Sequence, residues 1–208
     1  MNNIMKLALL ACLGMNSLAM ANEPSKAGDA AKGKALSATC TACHGADGNS
    51  VNPAWPKLAG QGEAYLAKQL HDFRTDKRND PTMTAMAKGI ASDADVNDLA
   101  AFYAGQKAKA GTANKDLVEA GKAIYKGGNL ATGVAACAAC HSPTGSGNSA
   151  AKFPGIAGQH AKYTIAQLQL FKSGKRANDT GKMMRNIAKN MTEAEMKAVA
   201  EYISGLHD

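Results

Sequence analysis

One five-residue message stands twice in the chain. Cys40-Thr41-Ala42-Cys43-His44 returns as Cys137-Ala138-Ala139-Cys140-His141, and the agreement continues well past it. Pro56-Lys57-Leu58-Ala59-Gly60-Gln61 returns as Pro154-Gly155-Ile156-Ala157-Gly158-Gln159. Tyr65, Gln69, Leu70, Phe73 and Arg78 return at an offset of 98 as Tyr163, Gln167, Leu168, Phe171 and Arg176, and Leu99 and Phe102 return as Val199 and Tyr202. A period this long is far beyond a solenoid unit and marks a duplicated domain. The 208 residues are expected to form an N-terminal domain over 22–106, a linker over 107–115 rich in Ala, Gly and Lys, and a C-terminal domain over 116–208.

Residues 1–21 are set apart from this fold reasoning. Lys6 supplies a positive start, Leu7 to Gly14 a short apolar run, and Ala19-Met20-Ala21 a small-residue cleavage site, which together read as a signal peptide that is removed. The apolar run is too short for the ~20 residues of a membrane span. The expected destination is outside the cytoplasm. Without the peptide four cysteines remain, Cys40, Cys43, Cys137 and Cys140, and six methionines.

An even cysteine count in an exported chain ordinarily suggests disulfides, but the spacing points elsewhere. Two thiols three positions apart lie on one helical turn, where they can add to the two vinyl groups of one haem. The following histidine then faces the iron as an axial ligand, so the box reads as a c-type haem attachment signal. A thioredoxin-like pair expects a βαβ pattern that is absent. A single four-cysteine zinc site leaves His44 and His141 without a reason. Two covalent haem c groups are therefore expected, held by Cys40, Cys43, Cys137 and Cys140 with His44 and His141 on iron. Aromatic residues make up only 5% of the chain, and a haem in each domain would supply the missing interior bulk.

A methionine opposite the histidine would raise the reduction potential and close the iron to small molecules. Each repeat carries methionines roughly forty residues after its histidine: Met83 and Met86, then Met183 and Met184. Met184 precedes Thr192 by eight residues, Met83 precedes Ser92 by nine and Met86 by six. This favours Met83 and Met184 as ligands. Met86 stays open, because it matches Met184 at the offset of 98. His71, His160 and His207 have no counterpart in the other copy and are read as non-ligands.

Each copy has the same coarse order. A short helix (29–37, then 116–126) precedes the box, and a Gly-, Asn- and Pro-rich loop follows it. A helix is predicted over 63–74 and 160–173, then an irregular stretch carrying the methionines. A last helix starts at Ser92 or Thr192, each an N-cap with Asp95 or Glu195 at N3. Met191 and Met196 are assigned to that last helix as core. No run has strand periodicity, so the fold class is all-α. Gly33 and Gly121 are expected to let the last helix cross the first closely. Pro56 and Pro154 are expected to shape the loop beneath the histidine side of the haem. Tyr65, Tyr163, Arg78 and Arg176 either bond haem propionates or cap the surface.

With these residues in view, the chain resembles the cytochrome c4 group of periplasmic dihaem cytochromes. The resemblance rests on Cys40-Cys43-His44 with Pro56-Lys57-Leu58-Ala59-Gly60-Gln61-Gly62 and Met83, and on Cys137-Cys140-His141, Phe153-Pro154, Gly158-Gln159-His160 and Met184. It covers nearly all of the chain after residue 21. It implies two tandem class I cytochrome c domains facing each other, each with His/Met-ligated iron. It further implies a periplasmic electron carrier taking electrons from a donor such as a quinol-oxidising complex and passing them towards a terminal oxidase. A monomer is expected, and an oxidase partner is the route by which it would associate peripherally with a membrane.

Charge is uneven along the chain. Residues 22–106 carry nine Lys/Arg and ten Asp/Glu, whereas residues 107–208 carry fourteen and seven. Such a dipole orients a protein toward partners, so the basic half is expected to dock an acidic redox protein. Nucleic acid is excluded by compartment. Two function classes follow: an electron carrier that is not an enzyme, with both irons six-coordinate, and a dihaem enzyme such as a peroxidase, with one open iron. A cytochrome subunit of a larger oxidoreductase is a third reading. Methionines in matching places favour the carrier.

Overall fold

The computed structural model describes residues 27–207. The signal peptide assigned to residues 1–21 lies outside the described residues. In the first half, α1 (Ala30–Leu36) starts where the Asp29 carboxylate accepts the Ala31 and Lys32 amides. It stops at Ser37, and α2 (Ala38–His44) carries the first box on its last turn. α3 (Glu63–Arg74), α4 (Pro81–Lys88) and α5 (Asp93–Ala104) follow. The second half repeats the order with α6 (Lys115–Gly127), α7 (Ala138–His141), α8 (Ala161–Lys172), a 3-10 turn over Thr180–Lys182, α9 (Met183–Ala188) and α10 (Glu193–Gly205). Among the described residues there is no strand, only the isolated bridges Asn129–Val134 and Asn148–Phe153. No described helix is long and apolar enough to cross a membrane.

Both last helices begin at the expected caps. The Ser92 hydroxyl accepts the Asp95 amide. Thr192 and Glu195 form a reciprocal capping box, a device that stabilises a helix start by about 1 kcal/mol. In each domain the first helix packs across the last, α1 on α5 and α6 on α10, while α3 and α8 pack against the same last helices. The crossings depend on Gly33 and Gly121, both buried. A β-carbon at Gly33 would lie 1.9 Å from the Asp98 carbonyl oxygen, and one at Gly121 would lie 2.1 Å from that of Ala198. No side chain fits there, and the expected close approach is what the fold contains.

The methionine segments differ from their expected irregular form. Met83 and Met86 lie inside α4, and Met183 and Met184 open α9. For α4 the cause is local: the Asp80 carboxylate caps the Thr82 and Met83 amides and Pro81 occupies the first turn, where a missing N–H costs nothing. α9 follows Gly181 and Lys182, both in the left-handed region. Met191 also departs from its assignment, since it precedes α10, although it is fully buried as core.

Each domain's apolar core is small. Leu66, Ala100, Phe102 and Tyr103 form one cluster. Tyr125, Val134, Leu168, Met191, Met196, Val199 and Ile203 form the other.

The repeated tyrosines and arginines neither scatter over the surface nor stay within their own domain. Arg78 stacks over Phe73 at 4.6 Å and donates to Tyr163 Oη and Gln167 of the other domain at 3.1 and 3.0 Å. Arg176 stacks over Phe171 at 4.5 Å and donates to Tyr65 Oη and Gln69 at 3.0 and 3.2 Å. The two copies thus exchange equivalent bonds across their interface. Asn178 adds bonds to Gln69 and Asp72. On the connecting segment, the Lys109 amide donates to Asn49 and its ammonium pairs with Asp47. That pairing, led by the Lys109 hydrogen bond, holds the Asp47 carboxyl down at about 2.

Candidate functional site

The two boxes build two equivalent sites, one per domain. α2 places Cys40 and Cys43 half-buried on neighbouring points of one turn and buries His44 at its end. α7, a single turn preceded by Cys137, carries Cys140 and ends on His141, and all three are half-buried. None of the four cysteines forms a disulfide. No group of three or more His, Cys, Asp or Glu side chains among the described residues is placed to share a metal, so a four-cysteine zinc site does not form.

Each histidine is fixed by one nitrogen. His44 Nδ1 donates to the Pro56 carbonyl at 2.9 Å, and His141 Nδ1 donates to the Pro154 carbonyl at 2.9 Å. Each proline loop thus meets the histidine of its domain through a backbone oxygen. Holding Nδ1–H in this way leaves Nε2 as the lone-pair nitrogen, the tautomer an iron ligand requires. Burial pushes both imidazoles below their ordinary pKa, against the opposing pull of the proline carbonyls, so both are neutral at neutral pH. Burial also pushes the Cys40 thiol up and the Cys137 thiol up to about 11. Both are uncharged thiols at neutral pH.

Apolar side chains from the loops and helices pack beside each box. Cys40 and Leu58 pack against the N-terminal cluster; Cys137, Ile156 and Met184 pack against the C-terminal one. Tyr103 belongs to the first cluster, and its hydroxyl is buried without a hydrogen-bond partner. Met83 is half-buried, whereas Met86 is 51% exposed. Met184 is half-buried, whereas Met183 is 39% exposed. In each pair burial singles out one methionine. His71 and His207 are exposed, and His160 Nε2 is engaged by Ser50 of the other domain at 2.9 to 3.0 Å.

Paired thiols, a neutral histidine with one nitrogen free, and a thin core match the needs of a covalently held haem in each domain. Sequence reasoning assigned no role to Gln61 and Gln159, although both stand at matching positions of the repeat. Each is buried and crosses to the other domain's proline loop. Only the preserved offset hinted at a role; the partner, a backbone peptide, carries no sequence signal.

The family model described as Cytochrome c matches the chain twice, over residues 30–106 and 118–207. Cytochrome c4 of Pseudomonas aeruginosa is 47% identical over 206 residues, covering 99% of this chain and all of the relative. The crystal structure of reduced recombinant cytochrome c4 from Pseudomonas stutzeri superposes with a TM-score of 0.84 at 43% identity, over 87% of this chain and all of that one. A thiosulfate dehydrogenase electron acceptor of Thiomonas intermedia is 38% identical over 172 residues, 80% of this chain and 78% of the relative.

Proposed function

The chain belongs to the cytochrome c family, as a two-domain member of the cytochrome c4 group with two covalently bound haem c, and on that premise we propose that it works as a periplasmic electron carrier delivering electrons to a terminal oxidase. The observation that carries the reading is the pair of matched boxes, each with two half-buried thiols and a histidine tied by Nδ1; one half-buried methionine on the short helix that follows in each domain supports it. A carrier needs both irons closed, which a methionine opposite each histidine would provide.

In this reading Cys40 and Cys43 anchor one haem by thioethers, and Cys137 and Cys140 anchor the other. His44 and Met83 ligate the first iron, and His141 and Met184 the second. When bound, the haem iron supplies a one-electron Fe(III)/Fe(II) couple. The protein's part is to fix ligand orientation, exclude water and set the couple through its surroundings. The proline carbonyls hold the imidazoles in one tautomer. The thioether sulfurs of Met83 and Met184 are soft ligands that favour Fe(II).

The ligand assignment has a direct test in carbon monoxide binding by the reduced protein. Wild type is expected to show two haems, a far-red methionine–iron band when oxidised and no carbon monoxide shift when reduced. Met83→Ala is expected to open half of the haem to carbon monoxide, and Met86→Ala to leave it closed. The reverse pattern would move the ligand to Met86, and an open iron in wild type would favour a peroxidase-like enzyme.

The excess of Lys and Arg over residues 107–208 supports docking of the C-terminal domain on an acidic partner. Electron-transfer rate to such a partner is expected to fall by at least about tenfold as salt rises from low to physiological strength. A flat salt profile would contradict it. A second reading, an electron-accepting subunit beside a sulfur-compound dehydrogenase, is favoured by the likeness to the Thiomonas protein. Copurification of a second, larger chain would support that reading over a free carrier.

A further inference from the structure

We propose that Gln61 and Gln159 are crossed positioning residues, each setting the reduction potential of the haem in the other domain through the peptide that holds that haem's histidine. The observation is a reciprocal pair of clamps at the domain interface. Gln159 Oε1 accepts the Lys57 amide at 3.0 Å, and Gln159 Nε2 donates to the Lys57 carbonyl at 3.0 Å. Gln61 Oε1 accepts the Gly155 amide at 2.9 Å, and Gln61 Nε2 donates to the Gly155 carbonyl at 2.7 Å.

The clamped amides are those of the histidine-holding peptides. The peptide joining Pro56 to Lys57 accepts His44 Nδ1–H at its oxygen and donates its N–H to Gln159. The peptide joining Pro154 to Gly155 accepts His141 Nδ1–H and donates to Gln61. Each chain of bonds runs from an imidazole, through one peptide plane, into the opposite domain. Hydrogen bonds in series polarise one another, so donation at the peptide nitrogen makes its oxygen a stronger acceptor. A stronger bond at Nδ1 raises the electron density that the imidazole gives to iron and favours Fe(III).

The glutamines are themselves held. Gln61 Oε1 also accepts the Gly62 amide at 2.9 Å and Gln159 Oε1 the His160 amide at 3.0 Å, and both side chains are buried. Burial away from water makes such bonds stronger and their loss more costly. The clamp reads only backbone on the far side. That accounts for a repeat that keeps the glutamine while the clamped residue changes from lysine to glycine.

The inference rests on His44 and His141 being the iron ligands. That reading is checked separately by hyperfine-shifted histidine ring protons in the oxidised wild-type NMR spectrum. The test compares the holoproteins of wild type, Gln159→Met and Gln61→Met. Potentials are read haem by haem from NMR redox titration, and hydrogen-bond strength from the imidazole Nδ1 proton of the reduced protein. Gln159→Met is expected to shift the reduction equilibrium of the N-terminal haem about threefold toward Fe(II), about 28 mV at 59 mV per tenfold for one electron. The His44 Nδ1 proton moves upfield, and the C-terminal haem is unchanged. Gln61→Met produces the mirror result at the C-terminal haem and His141. Gln159→Asn, too short to span the gap, reproduces the Gln159→Met shift. A shift at the haem of the substituted domain, an equal shift at both haems or no shift at either would overturn the proposal.

Discussion

A chain carrying Cys137→Ala with Cys140→Ala is expected to hold one haem per molecule in place of two and to lose the ordered C-terminal domain. The reason lies in how little apolar interior the domain has of its own. Tyr125, Met191, Met196 and Val199 are its largest fully buried side chains. Full burial of such groups contributes only about 1.5–3 kcal/mol each, against a backbone ordering cost of about 1–2 kcal/mol for every residue. Cys137, Ile156 and Met184 line the edge of that cluster, where a covalent cofactor adds apolar contact that the chain lacks. The damage should stay in one half, because each domain has its own first-on-last helix crossing and its own cluster. A haem count by alkaline pyridine spectrum and far-ultraviolet circular dichroism read the outcome. Expected are one haem and a loss of roughly half the helical signal, as judged against the even split of helices between the halves. Retention of a second haem, or full helicity with one haem, would mean that the C-terminal fold stands without its anchor.

Gly121→Ala is expected to destabilise the C-terminal domain by about 3 kcal/mol or more. Two effects oppose each other. In a free helix the change favours alanine by about 1 kcal/mol. At this crossing the new β-carbon would meet the Ala198 carbonyl oxygen at 2.1 Å and the Tyr202 β-carbon at 2.7 Å. Both atoms belong to or adjoin the α10 backbone and cannot swing aside, so α6 must move away. That separation opens the packing of Tyr125, which is fully buried and donates to the carbonyl of Ser142, the residue that follows His141 at the end of α7, at 2.6 Å. The clash therefore exceeds the propensity gain, and the haem site feels it. Gly127→Ala supplies the control in the same helix, because nothing lies within 4 Å of a β-carbon there. It should leave stability within about 1 kcal/mol of wild type. Guanidinium unfolding of the holoproteins separates the two, and equal midpoints for Gly121→Ala and wild type would show that the crossing yields.

Local chemistry and repetition made much of this protein legible from its residues. The boxes at Cys40–His44 and Cys137–His141 announced their sites because thioether attachment requires a spacing that few other functions share. Duplication turned weak signals into strong ones: a glycine, a cap or a proline loop seen once is background, but the same residue at a constant offset is a constraint. Ser92, Thr192, Gly33 and Gly121 were readable for this reason, since a cap depends on neighbours within one turn and a buried helical glycine has few alternative purposes. The helical state of Met83 and Met86 is also written locally, in Asp80-Pro81, beneath a polar composition that reads as loop.

Only the tertiary structure decided which surfaces the two copies present to each other. Arg78 and Arg176, Gln61 and Gln159 carry the same identity whether they face a cofactor, solvent or a sister domain. Their partners, Tyr163, Gln167, Tyr65 and two backbone peptides, lie 85 to 111 residues away. Hydrogen bonds of that range leave no periodicity and no composition bias, because either end is satisfied by any donor or acceptor brought within 3 Å. The choice between exposed and buried methionine has the same origin. Sequence places two sulfurs on one short segment, and the packing of that segment against its domain decides which one turns inward.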